Sequence, residues 1–201
     1  PKAIADGYQL LNELGAVDDN HELTDTGRQL SKLPLDPRVG RMILEARDRQ
    51  ALNEVLIIAS ALSVQDVRDR PLEAQAQADQ AHAKFDDDKS EFSSYLTLWQ
   101  WLENSRGGKP HVPTSVKHQI AVKQPQSKQA VGVTGHAEHK LSNRQYEALL
   151  RQNFVNVRRV REWRDTHTQL LTVVTEHKWQ LNTLPASYEQ LHLSMLAGLL
   201  G

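Results

Sequence analysis

Four arginines within two turns of one predicted helix are the residues of this chain best suited to chemistry. Arg158, Arg159, Arg161 and Arg164 crowd around Trp163, in a segment whose apolar residues recur every three or four positions. Guanidinium groups bind phosphate oxygens through paired, charge-assisted hydrogen bonds. The cluster could therefore hold the backbone of a nucleic acid.

The same spacing offers a structural explanation for two of these arginines. Glu162 follows Arg158 by four residues, and Asp165 follows Arg161 by four. Ion pairs at this helical spacing contribute about 0.2 to 0.5 kcal/mol each. Spacing alone makes such pairs the simpler interpretation, and phosphate binding stays open beside it.

Complete catalytic motifs are absent from the sequence. The glycines of residues 106–109 lack the G-x-x-x-x-G-K-[ST] spacing that wraps phosphates in backbone amides, and no G-x-S-x-G element supports a hydrolase triad. His136, Glu138 and His139 come closest to a metal site, but they do not form an H-E-x-x-H helix. The acidic residues 86–88 lack EF-hand spacing. We expect no catalytic, cofactor or metal site within this chain.

Charge and composition restrict the classes of partner. The 24 Lys and Arg residues are offset by 25 Asp and Glu residues, so a formal net charge of −1 provides no overall attraction to nucleic acid or to an anionic membrane. The chain has no cysteine, which fits a reducing compartment, and we expect a cytoplasmic protein. No apolar run approaches the roughly 20 residues that span a bilayer. The start at Pro1, without a signal peptide, indicates a piece of a larger protein.

The N-terminal part of the sequence has the pattern of several short helices. Thr24 can cap one helix, and Asp36 with Pro37 supplies an N-cap and a first-turn proline for the next. Residues 52–62 are apolar nearly all round and predict a central buried helix. Turn chemistry at residues 18–20 allows a small hairpin. The arrangement resembles a winged-helix or helix-turn-helix unit.

The remainder predicts a second helical unit with a long interruption. Residues 72–85 predict an exposed helix, and Ser90 can cap the helix after it. Over about 103–140, Gly, Pro, Gln, Lys and His dominate, which indicates an irregular insertion, with at most a weak hairpin around 120–133.

Ordered helices are expected again after this insertion. Capping-box spacing marks helix starts at Ser142 and at Ser187, and apolar residues recur at helical spacing over residues 157–177.

Aromatic and basic residues elsewhere are weaker candidates for nucleic-acid contact. Trp99, Trp163 and Trp179 lie at helical spacing typical of a core, whereas Trp101 lies off the main stripe and is the exposed candidate. The insertion carries six Lys or Arg residues against two acids, which could attract nucleic acid.

Particular strings, in a fixed order, resemble the helicase-associated region of DEAH-box RNA helicases. Residues 14–17 (LGAV), 23–28 (LTDTGR) and 33–38 (LPLDPR) resemble its winged-helix start. Residues 159–163 (RVREW) and 193–200 (LSMLAGLL) look like the bacterial HrpA type. Further similar strings are residues 59–63 (ASALS), 70–71 (RP) and 84–85 (KF). The resemblance covers nearly the whole chain apart from the insertion.

The resemblance implies a mainly α fold with two domains. A winged-helix domain would occupy residues 1–68, and a ratchet-like helical bundle would occupy residues 69–201, with the irregular insertion at about 103–140. Two RecA-like motor domains that use ATP and Mg²⁺ would precede the chain, and an oligonucleotide-binding fold would follow it. The bundle would form one wall of a channel for single-stranded RNA. The chain itself would bind no cofactor.

The resemblance also ranks the candidate contacts to RNA. Arg161 matches an arginine of the family's bundle-helix pattern and is the first candidate, with Arg158 beside it. Arg70 and Ser90 are further candidates for RNA binding. The family usually has Gly-Asp-His-Leu near Ser90, but residues 89–92 of this chain are KSEF, which removes a histidine.

Two other classes of function stay open at this point. A free-standing helical module could dock a protein partner, and a large exposed apolar patch would favour it. A winged-helix transcription factor is the third possibility, although residues 37–50 mix acids with arginines and present no clean basic face.

Overall fold

The structure is a computed structural model that describes residues 2–30, 36–107 and 140–200. These residues are mainly helical, which confirms the predicted mainly α fold. The hairpin predicted around 120–133 lies outside the described residues. The helices are α1 (Lys2–Glu13), α2 (Asp25–Leu30), α3 (Pro37–Asp48), α4 (Leu52–Leu62), α5 (Gln75–His82), α6 (Glu91–Arg106), α7 (Asn143–Gln152), α8 (Val157–Glu176) and α9 (Tyr188–Leu199).

Side-chain caps fix the first helices where the sequence predicts them. The N–H of Gly27 donates to the Thr24 hydroxyl at the start of α2, and the Asp36 carboxylate accepts from the N–H of Arg38 at the start of α3. Between α1 and α2, an antiparallel bridge joins Val17 to Leu23, which confirms the small hairpin.

Helix α4 is the centre of the core, as its apolar composition predicts. It packs against α3, α6, α8 and α9. Trp163 of α8 is fully buried beside it, and the indole N–H donates to the Ile57 carbonyl oxygen at 3.0 Å and to the Ser60 hydroxyl at 3.1 Å. These bonds satisfy the polar atom of a large buried ring. They fix the rotation of α8 about its axis.

The segment predicted as one exposed helix over 72–85 is more broken and more buried than expected. Helix α5 is flanked by 3₁₀ turns at Leu72–Ala74 and Ala83–Phe85. Ala78 and Phe85 are buried. Trp101, predicted to be exposed, is half-buried because its ring packs edge-on against Phe85 and lies below the Lys84 ammonium. Although Trp101 lies off the main apolar stripe of α6, Phe85 and Lys84 cover its ring.

A buried carboxylate joins α4 to the segment that precedes α9. Glu54 is 1% exposed, and it accepts hydrogen bonds from the N–H of Ala186 at 2.9 Å and from the side-chain amide of Asn182 at 3.0 Å. Burial raises the pKa of Glu54. The hydrogen bonds oppose that shift without cancelling it.

Helices α3 and α9 form the most extensive helix contact of the described chain. Gly198 makes this possible, because a Cβ at that position would lie 2.4 Å from the Arg38 carbonyl oxygen. Helix α3 therefore packs on both α4 and α9 in one continuous core. The domain boundary between residues 68 and 69 stays a prediction.

The two ends of the undescribed segment 108–139 lie side by side. Gly107 ends α6 in the left-handed region, with φ of 74°. A Cβ on Gly107 would lie 3.2 Å from the Lys140 Cα, so the backbones nearly touch there. Helix α7 begins shortly afterwards, with the capping box of Ser142 and Gln145 in place.

Candidate nucleic-acid interface

A tight turn between α7 and α8 positions the arginine cluster. Phe154 adopts φ of 54°, in the left-handed region that non-glycine residues seldom occupy. Asn156 then caps α8 by accepting from the N–H of Arg159 at 3.0 Å. Val155 is buried and forms an antiparallel bridge with Arg68. The turn therefore holds the N-terminus of α8 against the segment that follows α4.

The cluster divides into structural and exposed arginines. Arg159 donates to the Asp66 carbonyl oxygen at 3.0 Å and to the Asp69 carboxylate at 3.3 Å. Arg164 pairs with Glu103 at 2.9 Å, and both side chains are less than one-fifth exposed. These two arginines tie α8 to its neighbours. The other two arginines of the cluster, Arg158 and Arg161, are exposed. They are the two residues that the sequence analysis predicts to contact phosphate.

Arg158 and Arg161 line the same open cleft, whose volume is about 440 Å³. The cleft lies between α7, the N-terminus of α8 and the segment around Pro71. Three arginines line it against two carboxylates, which leaves a net positive charge. The charged lining residues are Arg151, Arg158, Arg161, Asp69 and Glu147. The partial positive charge at the N-terminus of α8 adds to this field.

Arg161 makes a different ion pair from the one that its spacing predicts. Its guanidinium donates to the Glu147 carboxylate of α7 at 2.5 Å, in place of the Asp165 partner expected four residues on. Glu147 also pairs with Arg151 at 3.5 Å. The Arg161 side chain is 66% exposed, so water screens this pair. Such a pair contributes about 0 to 1 kcal/mol, and a phosphate could displace the carboxylate.

Arg158 is the most accessible cation of the cleft. Its side chain is 79% exposed, and the predicted pair with Glu162 forms only at 3.5 Å. That distance exceeds the range of a strong charge-assisted hydrogen bond. The Arg158 guanidinium can therefore bind an incoming anion at little cost.

The other two candidates, Arg70 and Ser90, do not line this cleft. Arg70 is exposed and forms two hydrogen bonds with Asp79, at 2.7 and 2.8 Å, which lower the pKa of that carboxyl group. Ser90 caps α6, and its hydroxyl also bonds to His192 of α9. The structure therefore brings Arg158 and Arg161 together and leaves Arg70 and Ser90 in separate contacts.

Sequence reasoning missed Arg151 and Glu147 as members of the site. Both lie on α7, and only the turn through Phe154 brings that helix beside the start of α8. The spacing of four residues between Glu147 and Arg151 indicates a helical ion pair, but it gives no sign of a shared cleft with Arg161.

Metal and membrane sites receive no support from the described residues. No group of three or more His, Cys, Asp or Glu residues there is arranged to hold a metal ion. His136, Glu138 and His139 lie outside the described residues. None of the described helices combines the length and the apolar character needed to cross a membrane.

Comparison with known proteins extends these observations. Residues 8–35 match the winged-helix part of the helicase-associated domain (HA2), and residues 36–98 match its ratchet-like part. The chain is 37% identical to the ATP-dependent RNA helicase HrpA of Escherichia coli (strain K12) and 36% identical to the HrpA homolog of Haemophilus influenzae. Each match covers 98% of this chain and 13% of the relative, so the chain spans about an eighth of those proteins. Residues 8–98 therefore carry both parts of the helicase-associated domain (HA2), and the chain as a whole is similar to one segment of the HrpA helicases.

Proposed function

We propose that this chain guides single-stranded RNA behind the motor domains of an ATP-dependent RNA helicase. One observation carries the proposal: Arg158 and Arg161 project, largely exposed, into one net-positive cleft at the N-terminus of α8. Both relatives described above are named as RNA helicases.

The chemistry of this cleft suits a phosphate backbone better than it suits bases. Its positive charge comes from a helix N-terminus and three exposed arginine side chains, and no aromatic ring of the described chain other than Phe154 lines it. Contacts to phosphates fix the position of a strand without selecting its sequence. We therefore expect sequence-tolerant binding, as a channel wall requires.

The whole protein would supply what this chain lacks. We propose that RecA-like motor domains binding ATP and Mg²⁺, and an oligonucleotide-binding fold, belong to the same protein and pack on this chain. Exposed leucines on α9 support such packing, because Leu193, Leu196 and Leu199 are each more than a third exposed. We also propose a cytoplasmic location, since the chain has no cysteine and its relatives are RNA helicases.

Replacing Arg161 with glutamine tests the RNA role. We expect affinity for unstructured oligonucleotides to fall by up to about fivefold, because an exposed charge contact contributes up to about 1 kcal/mol. The loss should be equal for different base sequences. The slope of log affinity against log salt should flatten by about 0.7 for each phosphate contact removed. Fluorescence anisotropy over a salt series measures both quantities.

Arg144→Gln is the matched control. Arg144 is an exposed arginine of α7 that does not line this cleft, so its removal makes the same change in total charge away from the proposed contact. Equal effects of the two variants would mean that only the overall charge matters. An unchanged affinity for Arg161→Gln, together with a lower melting temperature, would favour a structural ion pair over an RNA contact.

A further inference from the structure

A second, smaller cavity lies beside the RNA cleft and has the lining of an anion site. Its volume is about 150 Å³, and it is enclosed by the C-terminal end of α6 together with α7 and α8. A cavity of this size is sufficient for a guest as large as benzene. Three arginines line it against one carboxylate, that of Glu147. The ion pair between Arg161 and Glu147 lines both this cavity and the RNA cleft.

Arg164 lines this cavity and carries a hydrogen-bond donor without a partner in the described structure. One terminal nitrogen donates to Glu103 at 2.9 Å and more weakly to the Tyr146 hydroxyl at 3.4 Å. The Nε–H group of Arg164 is buried, and it has no acceptor among the described residues. An unsatisfied buried donor of this kind is costly, so an acceptor in the cavity would be stabilising.

Arg106 supplies a positive charge that no described carboxylate neutralises. It is the last residue of α6, and its guanidinium lies 6.0 Å from the centre of the Tyr146 ring. The Tyr146 hydroxyl accepts a hydrogen bond from Arg164, which leaves its own hydrogen available as a donor. Burial raises the pKa of Tyr146, which keeps that hydrogen in place.

The combined charge of the cavity is positive. Glu103 and Glu147 each neutralise one arginine, Arg164 and Arg161 respectively, and Arg106 remains. Apart from the Glu147 carboxylate, which is paired with Arg161, the polar side chains around the cavity offer donors: the Nε–H of Arg164, the Tyr146 hydroxyl and the side-chain amide of Asn143. An anion with several acceptor oxygens matches this set of donors, whereas a cation does not.

We infer that this cavity binds a phosphate monoester group, held by the Arg106 guanidinium, the Arg164 Nε–H and the Tyr146 hydroxyl. The group is either free phosphate or the terminal phosphate of a nucleic-acid strand, since both present the same oxygens. The cavity shares Arg161 and Glu147 with the RNA cleft, but none of the three groups proposed to hold the phosphate belongs to a residue that lines that cleft.

Titration of the isotopically labelled protein with inorganic phosphate tests the site. We expect saturable shifts of the Nε–H signals of Arg106 and Arg164 in side-chain NMR spectra, together with a rise in melting temperature. Arg106→Gln should weaken phosphate binding by up to about fivefold, because it removes an exposed charge contact. Arg106 is exposed, so this variant should fold normally.

Arg158→Gln is the matched control, because Arg158 lines only the larger cleft. It should weaken RNA binding and leave the phosphate-induced shifts at Arg106 and Arg164 unchanged. The proposal would be overturned if no shifts appeared at Arg106 and Arg164. It would also be overturned if Arg106→Gln bound phosphate as tightly as the unaltered protein. An unchanged RNA affinity of Arg161→Gln would not overturn this proposal, because its probe is inorganic phosphate and not RNA.

Oligonucleotides separate the two sources of the phosphate group. A strand carrying a 5′-phosphate should compete with inorganic phosphate better than the same strand with a 5′-hydroxyl if the cavity holds a strand end. Equal competition by the two strands assigns the cavity to free phosphate. The Arg106→Gln variant should remove any preference for the phosphorylated strand.

Discussion

Removal of the Glu147 carboxylate should strengthen RNA binding, the opposite of the effect expected for the arginine variants. Glu147 pairs with Arg161 at 2.5 Å and with Arg151 at 3.5 Å, and all three residues line the larger cleft. A phosphate that binds Arg161 must compete with this carboxylate. Glu147→Gln keeps the size of the side chain and a neutral acceptor, while it removes the competing charge.

The structure sets the size of the effect. The Arg161 side chain is 66% exposed, so the pair belongs to the screened class that contributes about 0.2 to 1 kcal/mol. Release of that competition corresponds to an affinity about 1.4 to 5 times higher at moderate salt. The gain should shrink as salt concentration rises, because screening weakens both the pair and the phosphate contact.

Anisotropy titrations with an unstructured oligonucleotide measure this gain. Glu176→Gln is the matched control: it makes the same charge change near the other end of α8, more than about 25 Å from Arg158 by helical rise. That distance is several Debye lengths at physiological salt, so the control should not alter affinity. Weaker or unchanged binding by Glu147→Gln, with normal folding, would refute the competition between Glu147 and phosphate.

Two further variants test the fold. Glu54→Gln should gain stability relative to the unaltered protein as pH rises above 4.5, the ordinary pKa of Glu54. Because burial raises the pKa of this carboxyl group in the folded protein, its stabilising contribution is complete below pH 4.5 and is lost as pH rises through the folded pKa. Urea unfolding at several pH values measures this, and the opposite trend would contradict the burial argument. Gly198→Ala should cost about 1 to 3 kcal/mol, since its Cβ would lie 2.4 Å from the Arg38 carbonyl oxygen. A melting temperature unchanged by this substitution would mean that α9 is free to shift away from α3.

Local signals in the sequence predict most of the helix starts. Asp36, Ser142 and Ser187 cap the helices that their spacing indicates, and the apolar composition of 52–62 identifies the central helix. These features depend on neighbours within about four residues along the chain, where helical geometry alone determines the contact.

Contacts between helices account for what the sequence does not predict. Phe154 adopts a left-handed conformation at a position that has neither glycine nor asparagine to indicate it, and that turn places α7 beside α8. Arg161 accordingly pairs with Glu147 across the helices and not with Asp165 along its own helix. The choice of Arg158 and Arg161 as RNA contacts remains a prediction, and the cleft that they share is a property of the tertiary structure.

The adjacency of Gly107 and Lys140 bears on how this region can vary among related genes. The entropic cost of closing a loop grows only with the logarithm of its length, by about 0.6 kcal/mol for each doubling. Since the two anchor points lie next to each other in the bundle, segments of very different length can join them at similar cost. We expect length differences between homologues to concentrate at this junction, which is also the natural place to insert an affinity tag or a fluorescent domain.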